Sequence, residues 1–221
     1  MTKEKARKVF EKLKIMHPSA RCELNFTTPF ELLVAVILSA QCTDKRVNII
    51  TDKLFKVYNT PKQFAYLDVE ELSSYIRSCG FFNAKSKNII AMSKIVWEKY
   101  GGEVPKDFEK LTCLPGVGRK TASVVMSVAF GIPAMPVDTH VNRVSLRIGF
   151  SKGTSVDKVE EDLKRLLPKE LWNEFHHYMI FHGRYICQSR KPNCQNCLIK
   201  EDCKCFLKAA KKINNDKIGM L

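Results

Sequence analysis

Four cysteines, Cys187, Cys194, Cys197 and Cys203, fall within seventeen positions near the end of a 221-residue chain. The spacing Cys-x6-Cys-x2-Cys-x5-Cys lets four thiolates wrap one tetrahedral ion or one cubane cluster, and zinc and iron–sulfur are both open to such a set. Zinc sites usually pair two short Cys-x2-Cys arms. Only the middle pair has that spacing here, which tilts the reading modestly toward the larger object, a [4Fe–4S] cluster. Cys205 lies two residues further on and competes as the last ligand. The loop inside the first spacing presents Arg190 and Lys191, and Arg184 comes just before it. Anchored by a metal, that loop would make a rigid phosphate contact; a solvated charged loop is the equally common alternative.

A second constellation is Leu114-Pro115-Gly116-Val117-Gly118-Arg119-Lys120-Thr121-Ala122, between an amphipathic segment and an apolar helical run. Two glycines two positions apart allow a tight turn between helices. The amides freed at the start of the second helix can bind a phosphate. No strand precedes the turn, which argues against a dinucleotide or P-loop site. Lys120 sits in the first turn of that second helix and reads either as a phosphate contact or as a nucleophile. Asp138, in Pro136-Val137-Asp138-Thr139-His140, reads by itself as a helix N-cap. It becomes catalytic only if the fold brings it near Lys120.

These groups must be positioned by helices. Ala6, Val9, Phe10 and Leu13 repeat at i, i+3, i+4, i+7 and predict an amphipathic first helix. Thr28-Pro29-Phe30-Glu31 opens an apolar helix, Thr60-Pro61-Lys62-Gln63 repeats that start, and Asp68-Val69-Glu70-Glu71 and Thr154-Ser155-Val156-Asp157 give two more. No alternating stretch is long enough for a sheet. The expected class is all-α, with about ten helices of average length. Trp97 and Trp172 read as core, and His140, His176, His177 and His182 as packing or surface groups. The tail 208–221 is Lys-rich, weakly patterned and expected to fray.

Composition narrows the partner. Thirty-seven Lys and Arg against 23 Asp and Glu leave a net charge of +14, and a 45% hydrophobic share marks a folded chain. An excess of this size on a folded body favours a polyanion such as nucleic acid over a mere solubility surface. Nine cysteines, odd in number and unevenly placed, argue against a disulfide framework. The first residues lack an apolar signal core, and the run 30–40 is too short to cross a bilayer. A cytoplasmic, reducing setting with no membrane partner is the expectation.

The motifs LPGVGRKTA, then VDTHVNRV with its aspartate eighteen residues after the lysine, then HGRYIC-x6-C-x2-C-x5-C, resemble the endonuclease III family. That family belongs to the helix-hairpin-helix, Gly/Pro-Asp superfamily of DNA glycosylases. The early segment ELNFTTPFELLVAVILSAQCTD is similar to the same family, and the likeness runs in order over nearly the whole chain. The resemblance implies a monomeric, bifunctional enzyme acting on double-stranded DNA that carries oxidised pyrimidines or abasic sites. It would excise the base and then nick the strand by β-elimination.

Residue by residue, the resemblance implies that the nucleophile is Lys120 and the catalytic aspartate Asp138. The ligands of a [4Fe–4S] cluster would be Cys187, Cys194, Cys197 and Cys203. Gln41 would fill the gap left by an everted base, and Phe81 stands at a wedge position that is often Leu. An aromatic wedge should still unstack a base step. Gly116 and Gly118, with Arg119, would grip the DNA backbone.

The implied architecture is two helical domains flanking a DNA-binding cleft: a six-helix domain over 22–133, and a cluster domain made of 1–21 and 134–207. An adenine-specific relative would lack the lysine and carry a further C-terminal domain. A non-catalytic DNA binder with a redox-sensing cluster is the rival from another class; borohydride trapping separates it from a lyase.

Overall fold

The computed structural model describes residues 1–218, with side chains through Lys211. Among them are twelve α-helices and no strand. In chain order these are α1 (Lys3–Met16), α2 (Pro29–Ser39), α3 (Asp44–Leu54), α4 (Pro61–Ala65), α5 (Val69–Ile76), α6 (Phe82–Tyr100), α7 (Phe108–Thr112), α8 (Arg119–Phe130), α9 (Thr139–Ile148), α10 (Val156–Leu166), α11 (Trp172–Phe181) and α12 (Lys204–Ile218). The surplus over ten comes from α4 and α7, five-residue helices between longer ones. No helix among the described residues is long and apolar enough to cross a membrane.

The chain divides into two compact units, residues 22–132 and residues 1–21 with 133 onward. In the first, α2 is the central rod. Every residue from Phe30 to Leu38 is buried, so no polar face is left for water. α3, α6 and α8 pack around it, with α4 and α5 against α6. Local chemistry fixes the starts. Thr28, Thr43, Thr60, Asp68 and Asp107 each accept a backbone N–H in the first turn of α2, α3, α4, α5 and α7. Thr60 and Gln63 complete a reciprocal capping box. Two helices of this unit begin without a side-chain cap: α6, after a left-handed Phe81, and α8, after Gly118.

In the second unit α1 buries its Ala6, Val9, Phe10 and Leu13 stripe against α11. Phe10 sits 6.3 Å from Phe175 and 5.6 Å from Tyr178, ring centre to ring centre. α9 supplies Val141, Val144 and Ile148 to the same core. Ser155, rather than Thr154, caps α10.

α12 runs through Ile218 and so covers most of the segment expected to fray, while 219–221 lie outside the described residues. Two expectations need correction: neither tryptophan is fully buried. Trp97 is half-buried beneath the Lys62 ammonium at 5.4 Å. Trp172 keeps its indole N–H on the Leu167 carbonyl at 3.0 Å. An indole with a polar edge is easier to satisfy at the boundary of a core than inside it.

Candidate functional site

The turn between α7 and α8 is built around Gly116. Its φ is +76°, and a Cβ there would lie 3.0 Å from the Asn88 Cβ on α6, so both backbone and space require glycine. Gly118 differs. Its backbone is extended, and a Cβ would meet nothing within 4 Å. Folding does not demand glycine at 118, and the first amides of α8 carry no side-chain cap. An uncapped helix start with an open approach is an anion-binding arrangement. Lys120 is exposed in that first turn, and the Arg119 guanidinium stacks 5.3 Å above the Phe108 ring.

Gln41 and Phe81 sit in the same unit, both exposed and both in the left-handed region, at φ +56° and +59°. The segments that carry them adjoin: a Cβ on Gly80, the residue before Phe81, would lie 3.7 Å from the Gln41 carbonyl. Phe81 is 67% exposed, an unusual place for a large ring and suited to a contact outside the chain.

Asp138 lies in the other unit and caps α9: its Oδ1 accepts the Val141 N–H at 2.7 Å. The preceding strand-like segment is pinned by α11. Asn173 accepts the Ala134 N–H at 3.0 Å, and the buried His176 donates from Nδ1 to the Pro136 carbonyl at 2.8 Å. Both pins escaped the sequence, although Asn173 and His176 share one helix face at i, i+3. His140 packs beside Arg143, 3.3 Å from its guanidinium.

Cys187, Cys194, Cys197 and Cys203 line a single small cavity that opens to solvent, while the exposed Cys205 does not line it. His182, buried, also faces it, with Nε2 3.7 Å from the Cys197 sulfur. Burial, then the neighbouring His17, push the His182 imidazole down to about 3, so it is neutral at ordinary pH. The His17 ring meets it at 3.1 Å. Among the described residues no three His, Cys, Asp or Glu side chains close on one point as a single ion would require.

The donors around the sulfurs suit thiolates. Burial pushes Cys197 up to about 11, and the Ile199 N–H works against that shift. Backbone N–H groups of Phe206 and Cys205 likewise favour the charged form of Cys203, whose thiol burial raises. The Arg147 guanidinium approaches the Cys187 sulfur at 3.5 Å. Four thiols, three of them with N–H donors turned on them, form a donor set that fits an iron–sulfur cluster.

Two arginines that sequence reasoning missed hold this region to α9. Arg143 donates to the carbonyls of Gly183 and Cys187 at 2.9 and 3.2 Å. Arg147, one turn on, donates to Gln188 and Ser189 at 2.6 and 2.9 Å. Their i, i+4 spacing was visible, but their targets lie about forty residues away. Arg190 and Lys191 project from the strapped loop, both exposed, with Lys191 at φ +52°. Arg184 is half-buried in the π-helical turn before Cys187.

An all-helical chain with a glycine hairpin, an uncapped helix carrying a lysine and an aspartate-capped helix matches, over residues 34–169, the sequence model of the HhH-GPD superfamily base excision DNA repair proteins. Endonuclease III of Bacillus subtilis (strain 168) is 50% identical over 203 residues, 91% of this chain and 93% of the relative. Endonuclease III of Escherichia coli (strain K12) is 47% identical over 203 residues, 92% of this chain and 96% of the relative. A solved structure of a trapped endonuclease III–DNA covalent intermediate, an estranged-adenine complex, superposes with a TM-score of 0.90 at 48% identity, covering 95% of this chain and 99% of that one. A thermostable thymine-DNA glycosylase is more distant, at 26% identity and a TM-score of 0.82. The chain belongs to the endonuclease III family of the HhH-GPD superfamily. It is a base-excision repair enzyme, a DNA glycosylase and AP lyase.

Proposed function

We propose that this enzyme removes oxidised pyrimidines from duplex DNA through a Schiff base on Lys120 and then cuts the strand 3′ to the lesion. The observation that carries the reading is the hairpin: an exposed lysine in the first turn of a helix whose leading amides no side chain caps. Those amides, with Gly116 and Gly118, would hold a backbone phosphate. The open space over Gly118 leaves room for that approach. Arg119 adds charge beside it. The relative captured as a covalent intermediate with DNA supports an amine nucleophile here.

A base in a duplex is reachable only after eversion. Phe81 would prop the stack open, and Gln41 would enter the vacancy and hydrogen-bond the orphaned partner. The Lys120 amine attacks C1′, and the C1′–N bond breaks with its electrons leaving on the base. That leaves a ring-closed aminal; its C1′–O4′ bond then breaks, O4′ taking a proton, to give an iminium that acidifies C2′, and loss of the C2′ proton expels the 3′ phosphate. Water as nucleophile could not form the iminium, so the lyase step needs an amine. Asp138 would stabilise positive charge at C1′ and take a proton from the attacking amine. Its cap uses Oδ1, which orients the carboxylate.

We assign a [4Fe–4S] cluster to Cys187, Cys194, Cys197 and Cys203, four thiols lining one cavity, three of them with N–H donors turned on them. When bound, the cluster cross-links the C-terminal segment and holds the loop of Arg190 and Lys191, with Arg184 before it, toward DNA phosphates. The enzyme would act as a monomer on the nucleoid of the bacterial cytoplasm.

Borohydride trapping on a duplex with one thymine glycol tests the central step. A covalent adduct is expected from the parent enzyme and none from Lys120→Ala. A parent that binds the duplex and yields no adduct would make the chain a non-catalytic binder. Metal analysis should return about four irons per chain; zinc in their place would overturn the cluster assignment.

A further inference from the structure

We propose that Lys85 is a positioning residue, whose buried ammonium ties the end of α2 to the start of α6 and so presents Gln41 and Phe81 together to DNA. This rests on the roles given above to those two residues and names the device that sets them. Lys85 lies one turn into α6 and is only 6% exposed. Its Nζ donates to the carbonyls of Leu38 and Ala40 at 2.8 and 2.7 Å, within the last turn of backbone before Gln41. Its own backbone N–H donates to the Phe81 carbonyl at 3.0 Å, closing the first turn after the wedge. One residue therefore holds both segments, through its side chain on one side and its main chain on the other.

Both presented residues occupy the left-handed region, at φ +56° and +59°, without being glycine. Such backbones persist only where the surroundings over-determine them, and they gather at functional sites. A helix end can be closed cheaply by glycine at the next position. Here the chain instead places Gln41 there and buries a charge to satisfy the carbonyls. The ionisable groups that act on Lys85 are two thiols, Cys79 and Cys42, and burial lowers its pKa. An ammonium without a carboxylate counter-ion is an expensive way to end a helix. It is explained if the required product is the conformation of the residue that follows.

An ordinary helix cap would make a different prediction, because losing it would weaken every activity alike. The experiment compares two substrates. Single-turnover excision from a duplex with thymine glycol opposite adenine needs eversion and gap filling. Borohydride trapping on single-stranded abasic DNA needs the amine and no eversion. Lys85→Met keeps the apolar stem and removes the donors. It should slow duplex excision roughly ten- to a hundredfold, the scale of a small misplacement at a site. Single-strand trapping should fall by no more than about threefold. Lys85→Arg, with its donors retained, should recover most of the duplex rate.

Adding Gln41→Ala to Lys85→Met should slow excision little beyond the slower single variant, because both remove one function. Equal losses on the two substrates, or fully multiplicative losses in the double variant, would overturn the proposal. If Lys85→Met does not fold, Lys85→Gln, with one amide donor group, takes its place in the same cycle. A parent enzyme giving no adduct on either substrate would instead defeat the Schiff-base reading on which the proposal stands.

Discussion

α8 and α9 each begin with a residue assigned to the chemistry, and their starts are built in opposite ways. α8 starts at Gly118 with its leading amides uncapped, and Lys120 follows in the open first turn. α9 starts beneath Asp138, whose carboxylate takes the Val141 amide at 2.7 Å. An open start is unsatisfied in the free protein and waits for an external anion; a closed start is satisfied already and gains a fixed carboxylate. On the proposed mechanism the lysine would serve chemistry with little structural duty, whereas the aspartate would serve both. Substitutions at the two positions should separate in just that way.

The largest effect belongs to Lys120→Ala. Strand cleavage and trapping should fall by roughly a thousandfold or more, the scale seen when a nucleophile is removed. Thermal stability should move within about 0.5 kcal/mol, as for other exposed positions. A large stability loss would mean that α8 depends on the lysine and that the contrast between the two helix starts is wrong.

Asp138 should split by substituent. Asparagine caps as well as aspartate, so Asp138→Asn should keep the melting temperature while base excision drops on the order of a hundredfold. Asp138→Ala should show the same catalytic loss and in addition about 1 kcal/mol of destabilisation. Thermal melts beside single-turnover rates measure both. If Asp138→Asn lost stability and activity in proportion, the carboxylate would be a cap and nothing more.

The two glycines carry the same contrast inside one turn. Gly116→Ala should cost about 2 kcal/mol of stability, since an L-residue resists φ +76° and its Cβ would press on Asn88. Gly118→Ala should cost only about 0.5 kcal/mol, because its Cβ meets nothing in the protein. Its effect should appear in DNA binding, weakened about tenfold by a methyl where a phosphate approaches. Reversed results would mean that Gly118 is structural and the hairpin grips elsewhere.

Much of this was readable in advance where the signal is local. The α1 stripe, the Thr28, Thr60 and Asp68 caps and the hairpin glycines are all patterns within one turn or two. The four cysteines could be grouped from spacing, although the cavity that they line and Cys205 does not emerges only in the fold. What escaped was long-range. Lys85 reaches carbonyls more than forty residues earlier in the chain, and Arg143 and Arg147 reach about forty residues later. His176 pins the segment before Asp138 from forty residues downstream. Each of these is a side chain satisfying a backbone carbonyl, and a carbonyl has no residue identity for a sequence pattern to match. Lys85 was hidden further by its type, since a lysine among lysines reads as solvated surface.

The smallest effect distinguishes the two proposed ways of holding DNA. The hairpin offers backbone amides, whereas the loop after Cys187 offers the charges of Arg190 and Lys191. Arg147 fixes that loop through the carbonyls of Gln188 and Ser189, so its two cations are presented from a rigid frame. Neutralising a phosphate with a side-chain cation releases a counterion, and an amide contact releases none. Arg190→Ala and Lys191→Ala should therefore each lower the slope of log K against log salt by about one unit. Gly118→Ala should weaken binding by a similar factor at every salt concentration and leave the slope alone. Fluorescence titrations of one abasic duplex over a salt series would read all three. If the loop variants shifted affinity without changing the slope, Arg190 and Lys191 would lie outside the interface. The contrast would then reduce to the hairpin alone.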